Sequence, residues 1–463
     1  MVKNNAIDIL SINFTQDELD EMLRLALARS QENDYDKDID DLSETIRINP
    51  DNAEAYYQRG LTYSCKNDYD NAIADYSKAI QMNPDNADAY YLRSMAYSSK
   101  KDYDNAIADY SKIIQMNPDD ADTYFERGKA YFYKNDYDNA IADLSKAIQI
   151  KPDESSTYHL RGGTYLYKKD YDNAITDYSK VIQIKPDYAE AYFNRGKVYY
   201  LFKNDNDNAI DDFSKAILVK PDYAKAYLCR GNEYSNKKDY DNAIADYSKA
   251  ILVKPDYAKA YLCRGNEYSN KKDYDNAIDD FSKAILINPK NDIIYIDRGW
   301  AYYYKKDYDN AIDDFSKAIL INPYYAYKYF NRGQAYFQKG DNKNAKKDIL
   351  KALFIDQNNN KAKELLEQIQ DDFSKAIQLN PDDVDAFFER GEVYYYKKNY
   401  DNAIVDFSKV IQITPDYAEA YFERGFAYCE KNDYDNAVND YSKAIQIKPD
   451  YWGGVSQSRF DLL

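Results

Sequence analysis

His159 is the only histidine in 463 residues, and that closes most routes to side-chain catalysis. Nucleophilic serine or cysteine chemistry needs a base within hydrogen-bond reach, and no serine or cysteine here stands in a pattern with a histidine. A His/Cys cluster at metal spacing, a phosphate loop and a dinucleotide fingerprint are also missing from the sequence. The 80 acidic residues make neighbouring carboxylates a result of composition, so they single out no acid–base pair. No enzyme activity, cofactor or metal is expected. The four cysteines, Cys65, Cys229, Cys263 and Cys429, are too few and too scattered for a disulfide framework and fit a reducing compartment.

Charge and hydropathy bound the partners. The net charge is −18, from 80 acidic against 62 basic residues, and such a surface repels phosphate backbones, which argues against nucleic acid. No apolar run is long enough to span a bilayer. The opening residues lack the basic-then-apolar layout of a signal peptide, so a soluble, cytoplasmic protein without a membrane partner is expected.

The elements that position side chains come from a period. All twelve prolines share one context, and from Pro50 through Pro84, Pro118, Pro152 and Pro186 they fall 34 residues apart. The step to Pro221 is 35, from one extra residue in 203–207, and the step to Pro381 is 58. A fixed period of this size marks stacked supersecondary units. In the reference unit 51–84, Asp51 can cap a first helix, with Glu54 completing a capping box. Ala53, Tyr56, Tyr57, Gly60 and Tyr63 then trace one helix face. Lys66-Asn67-Asp68 breaks that helix, and Asp68 is placed to cap a second one, on which Tyr69, Ala72, Ile73, Tyr76, Ala79 and Ile80 share a face up to Pro84. Each unit reads as a helical hairpin. Gly60 and its equivalents allow the two helices a close approach, and small residues such as Ala72 fill the facing site.

Tyr56, Arg59, Gly60, Tyr63, Ala72, Tyr76 and Pro84 fall on the spacing W-x2-L-G-x2-Y, A-x3-F, P, and the match recurs from about Asp17 to Pro449. The chain resembles the tetratricopeptide repeat family. The resemblance implies an all-α solenoid, a right-handed superhelix of stacked antiparallel hairpins whose concave face is lined by first helices and binds other proteins or peptides. One departure is systematic: arginine replaces the family's leucine at Arg59, Arg93 and nine equivalents, and each such unit carries an aspartate in its second helix. These read as a structural ion-pair ladder or as an anion-binding stripe. Asp41 and Asp372 occur in units with leucine, so pairing with the next unit's arginine is expected, Asp41 with Arg59 and Asp372 with Arg390.

On the concave face implied by the resemblance, the middle units contribute Asn194, Lys197, Lys225, Asn232, Asn236, Lys259, Asn266 and Asn270. Amides offer donor and acceptor to an extended peptide backbone, and lysines favour acidic side chains, so these eight residues are the candidate binding groove. The early units offer Glu54, Asp88, Asp122 and Glu126, and the late ones Asp385, Glu389, Glu392, Glu419 and Glu423, which would suit a basic segment. Most of the 53 tyrosines sit at periodic packing positions, while Tyr57, Tyr91, Tyr133, Tyr167, Tyr303, Tyr304, Tyr395 and Tyr396 are candidate aromatic anchors. His159 lines the groove or faces solvent. The lysine/asparagine carboxylate clamp of some family members is not reproduced, since His159, Gly163 and Cys229 stand where its residues are required. Cys229 and Cys263 lie one repeat apart, about 10 Å by helix-packing dimensions and beyond disulfide reach.

The irregular places set the expected organisation: an extension at 1–16, a ten-unit array at 17–357 whose first unit is a degenerate cap, a shortened unit at 358–381, a two-unit array at 382–449, and a tail at 450–463. Ala362, Leu365, Leu366, Ile369, Phe373, Ala376 and Ile377 keep helical spacing across the shortened unit and predict one helix of roughly 20 residues. The tail docks on the last helix, stays disordered, or forms a partner or self-association surface. Residues 214–244 and 248–278 are identical.

Overall fold

The computed structural model describes residues 35–449. Among them are 24 α-helices and one π-helical turn, and no strand. The fold is an all-α solenoid of antiparallel hairpins, each with a first helix such as Ala53–Cys65 and a second such as Tyr69–Met82. Contacts divide the chain into two units, Met1–Glu233 and Tyr234–Leu463. The expected cap helix before Tyr35 and the tail after Pro449 lie outside the described residues.

The turn inside each hairpin follows from three residues. Asn67 takes a left-handed conformation (φ 60°), its N–H donates to the Ser64 carbonyl, and the Asp68 N–H donates to the Tyr63 carbonyl. This closes the first helix as a Schellman motif. The Asp68 side chain then accepts from the Asn71 N–H and caps the second helix, as its sequence position predicts. One aspartate thus ends one helix and starts the next. At the start of the first helix the cap is Asn52, which accepts from the Ala55 N–H, and not Asp51 as the sequence suggested.

The glycines work as anticipated, with a different neighbour. A Cβ on Gly265 would sit 2.6 Å from Phe281 Cε1, and one on Gly60 2.8 Å from Tyr76 Cε1, so the ring of the second helix fills the gap and Ala72 contributes its backbone beside it.

The arginine ladder runs opposite to the expected direction. Arg59 Nε and Nη2 donate to Asp75 of its own unit at 2.7 and 2.8 Å, and Arg93 makes the same pair of bonds to Asp109. The link to the preceding unit is a serine: Arg59 Nη1 donates to Ser43 Oγ at 2.8 Å, and Arg390 Nη1 to Ser374 Oγ at 3.1 Å. Asp41 is exposed and Asp372 bonds Lys375, so neither pairs with the following arginine. A forked guanidinium matches one carboxylate through two parallel bonds, and its remaining N–H reaches across the stack. Tyr56 and Tyr63 flank the Arg59 guanidinium at 5.7 and 5.9 Å.

Two irregularities resolve within their units. In the first, the extra residue becomes the π-helical turn Tyr199–Lys203 at the end of helix Ala189–Val198, and Arg195 still reaches Asp212 at 2.7 Å. In the second, the shortened repeat is one helix, Asn360–Leu379, of 20 residues, as predicted. Leu365, Leu366, Ile369 and Phe373 of that helix join Ile349, Leu353 and Val393 in one continuous core.

Candidate functional site

The first helices place the candidate groove residues, and their surroundings differ. In the first unit Asn194 is buried, and its Nδ2 lies 3.4 Å from His159 Nε2. His159 is itself buried and packs edge-on to Tyr178 and against Tyr188, so it neither lines a groove nor faces solvent. Burial lowers its pKa to about 4, against a smaller upward pull from Glu190, so the ring is neutral at pH 7. The Lys197 ammonium lies 5.6 Å from the Phe193 ring centre, Lys225 is exposed, and Asn232 is partly buried. In the second unit Lys259 and Asn236 are exposed, while Asn270 Nδ2 donates to Glu267 Oε2 at 3.0 Å.

Lys225 and Lys259 depart from a recurrent arrangement. At the same first-helix position three other units carry an acid that bonds a lysine at the end of their second helix: Asp122 to Lys151 at 2.8 Å, Glu190 to Lys220 at 3.4 Å, Glu419 to Lys448 at 3.3 Å. The substituting lysines are in no ion pair among the described residues.

The late acidic stretch is partly neutralised within the chain. The buried ammonium of Lys346 sits against both Glu389 and Glu392, and Lys343 Nζ is 3.5 Å from Glu389 Oε1. Several candidate aromatic anchors are also engaged: Tyr133 stacks on Tyr103 at 5.7 Å, Tyr167 on Tyr137 at 5.6 Å, and Tyr304 on Tyr274 at 5.6 Å.

Asn266 and Asn270 do come together, in a cavity of about 180 Å³ in the second unit, with Ser269, Tyr274, Asp297, Trp300, Ala301 and Tyr304. Asp297 is the residue that sequence reasoning missed. Burial raises its carboxyl to about 6, against the hydrogen bond from Asn266, which lowers it. The Ser269 Oγ is buried with no hydrogen-bond partner. Trp300 is held in place, its Nε1 donating to the Asn331 side-chain oxygen at 3.2 Å and its ring stacked on Tyr304 at 5.8 Å. The first unit has a cavity at the same place in the repeat, of about 240 Å³, lined by Met95, Ser98, Ser99, Tyr103, Glu126, Lys129 and Tyr133 among others. There the carboxylate Glu126 faces Lys129 Nζ at 3.3 Å.

Tetratricopeptide repeat models match residues 53–86, 121–154, 224–257, 258–291, 293–325 and 418–451, with further matches over 76–108, 189–223 and 329–359. A TPR repeat model matches 95–134, 162–201 and 391–430. This chain belongs to the tetratricopeptide repeat family. The matches to either side of the fused helix Asn360–Leu379 stop at residue 359 and resume at 391. No curated protein matches the sequence significantly. Among solved structures the chain is similar to a MamA protein, 30% identical over 37% of this chain and 92% of that one, with a TM-score of 0.35. It is also similar to a tetratricopeptide repeat protein from Parabacteroides merdae (21% identity, 54% and 98% covered, TM-score 0.40). A third is the C-terminal part of a TPR repeat-containing protein from Cytophaga hutchinsonii (19%, 51% and 97%, 0.46). Tetratricopeptide repeat proteins are generally non-catalytic scaffolds, and no described helix is long and apolar enough to cross a membrane.

Proposed function

We propose that this tetratricopeptide repeat chain is a non-catalytic cytoplasmic scaffold that binds extended, acidic segments of other proteins along its first helices. The observation that carries the reading is Lys225 and Lys259: both are exposed, at a position where three other units hold an acid already bonded to a lysine. Each of these repeats, identical in sequence over 214–244 and 248–278, thus offers an ammonium group whose counter-charge comes from a partner. Asn232, Asn236, Asn266 and Asn270 supply amides on the same helices for a peptide backbone. The test is retention of short acidic and basic peptides by the purified chain and by Lys225→Glu/Lys259→Glu. Wild type is expected to hold acidic peptides and the charge-reversed variant to release them with its helical circular dichroism intact. Equal retention by both proteins would overturn the reading.

A second reading is self-association through the last helix, Tyr434–Ile447. Ile445 there is 38% exposed, whereas its equivalent Ile80 is 7% exposed. Scattering mass that rises with concentration would favour it over the scaffold reading.

A further inference from the structure

The two cavities occupy the same site in the repeat, and their differences carry an inference. Met95, Ser98, Ser99, Tyr103, Glu126, Lys129 and Tyr133 of the first correspond by register to Asn266, Ser269, Asn270, Tyr274, Asp297, Trp300 and Tyr304 of the second. Both hold a carboxylate at the same first-helix position. In the first the chain supplies the cation, Lys129, three residues later. In the second that position is Trp300, and the group bonded to Asp297 is the neutral amide of Asn266. Glu389 occupies this position in a later repeat, and there again a lysine, Lys346, neutralises it. The chain therefore places an ammonium beside the acid in two repeats, and in the repeat of Asp297 puts an indole ring where the ammonium would be.

We propose that the Asp297 cavity receives the side-chain ammonium of a lysine from a bound partner segment, in the place that Lys129 fills internally in the equivalent cavity. Asp297 is its counter-charge. The faces of Trp300 and Tyr304 accept a cation through their ring quadrupoles. The unpartnered Ser269 Oγ and the Asn270 carbonyl oxygen offer acceptors for the remaining ammonium hydrogens. The cavity volume of about 180 Å³ has room for a lysine end. The inference rests on the proposed binding of extended segments and adds a basic residue to them.

The coupling to pH has a definite sign. The other titratable groups around Asp297 are Glu267 on the preceding first helix, held by Ser235 and Asn270, the phenol of Tyr327 on the following one, and Tyr274 and Tyr304 in the cavity wall. The free site loses the Asp297 anion as pH falls through about 6, and lysine binding weakens with it.

The probe is N-acetyl-lysine methylamide, compared with its Nζ-acetylated form, and the readout is the ¹⁵N-indole resonance of Trp300, assigned with Trp452→Phe. The lysine probe is expected to shift that resonance in a saturable way, with affinity about tenfold weaker at pH 5 than at pH 7. Asp297→Asn and the acetylated probe should each lose at least about tenfold. A Trp300 resonance unmoved by millimolar lysine probe, or moved equally by the acetylated probe or in Asp297→Asn, overturns the inference. If in that case acidic peptides are still retained and are lost on Lys225→Glu/Lys259→Glu, the cavity inference alone fails. If neither result appears, the scaffold reading fails with it.

Discussion

Asp297 should cost the free protein stability, and the cost can be worked from its environment. Its carboxyl is raised from 3.8 to about 6 because burial disfavours the anion. A group whose folded pKa is raised contributes stability that is present below the unfolded value and is lost as pH rises through the folded one. At about 1.4 kcal/mol per unit, the shift makes the second unit roughly 3 kcal/mol less stable at neutral pH than with the carboxyl protonated. Asp297→Asn keeps the volume and a hydrogen bond to Asn266 and removes the titration. Because repeats contact only their neighbours, the effect belongs to helices Ala258–Asn270 and Asp292–Tyr304 and is best read as local opening by amide hydrogen exchange. The difference in opening free energy between variant and wild type should grow by about 2–3 kcal/mol from pH 4 to pH 7.5 in those helices. Helix Ala418–Glu430, far along the same unit, should not change. A difference that stays constant over that pH range would refute the reasoning, because it would mean that Asp297 ionises in the folded state as freely as in the unfolded one.

Two further outcomes follow from buried charges elsewhere. Arg298→Leu restores the family's residue but leaves Asp314, whose side chain is 2% exposed, without its cation, and should cost about 3–5 kcal/mol in urea unfolding. Arg298→Leu/Asp314→Leu should recover most of that, and additive single losses would contradict the pairing. His159 has the opposite pH dependence to Asp297: its folded pKa is lowered from 6.5 to about 4, so stability present above pH 6.5 is lost as pH falls toward 4, by about 3 kcal/mol in total. His159→Phe should flatten that acid limb in thermal unfolding of the first unit, and an unchanged slope would count against the burial.

The hairpins, their turns and the fused helix Asn360–Leu379 were legible because the same residues recur at fixed register, so each local signal is repeated many times. What failed were relations between repeats. Asp41 and Asp372, in units lacking arginine, suggested a cross-repeat carboxylate, but the serine two residues later makes the link. Aligned units would have revealed His159, since Tyr57, Tyr91, Phe125 and Phe193 hold its position and pack inward. The π-helical turn was not legible. The extra residue was expected in 203–207 but is absorbed in the turn Tyr199–Lys203, which keeps both the Arg195–Asp212 pair and the Lys203–Asp172 pair at 2.7 Å.

Several of the charges that vary between repeats find their counter-charge within the chain, as in Asp122 with Lys151, Glu126 with Lys129 and Glu389 with Lys346. Those groups are spent on stability. Lys225, Lys259 and Asp297 stand at the same positions with no ion pair among the described residues. Lys259 is basic and Asp297 is acidic, and both lie in the unit Tyr234–Leu463, so a segment meeting both would carry an acid and a lysine in fixed order. A segment with its charges in reverse order should therefore bind less well than the forward one at equal net charge, and equal binding would reduce the interaction to unspecific attraction.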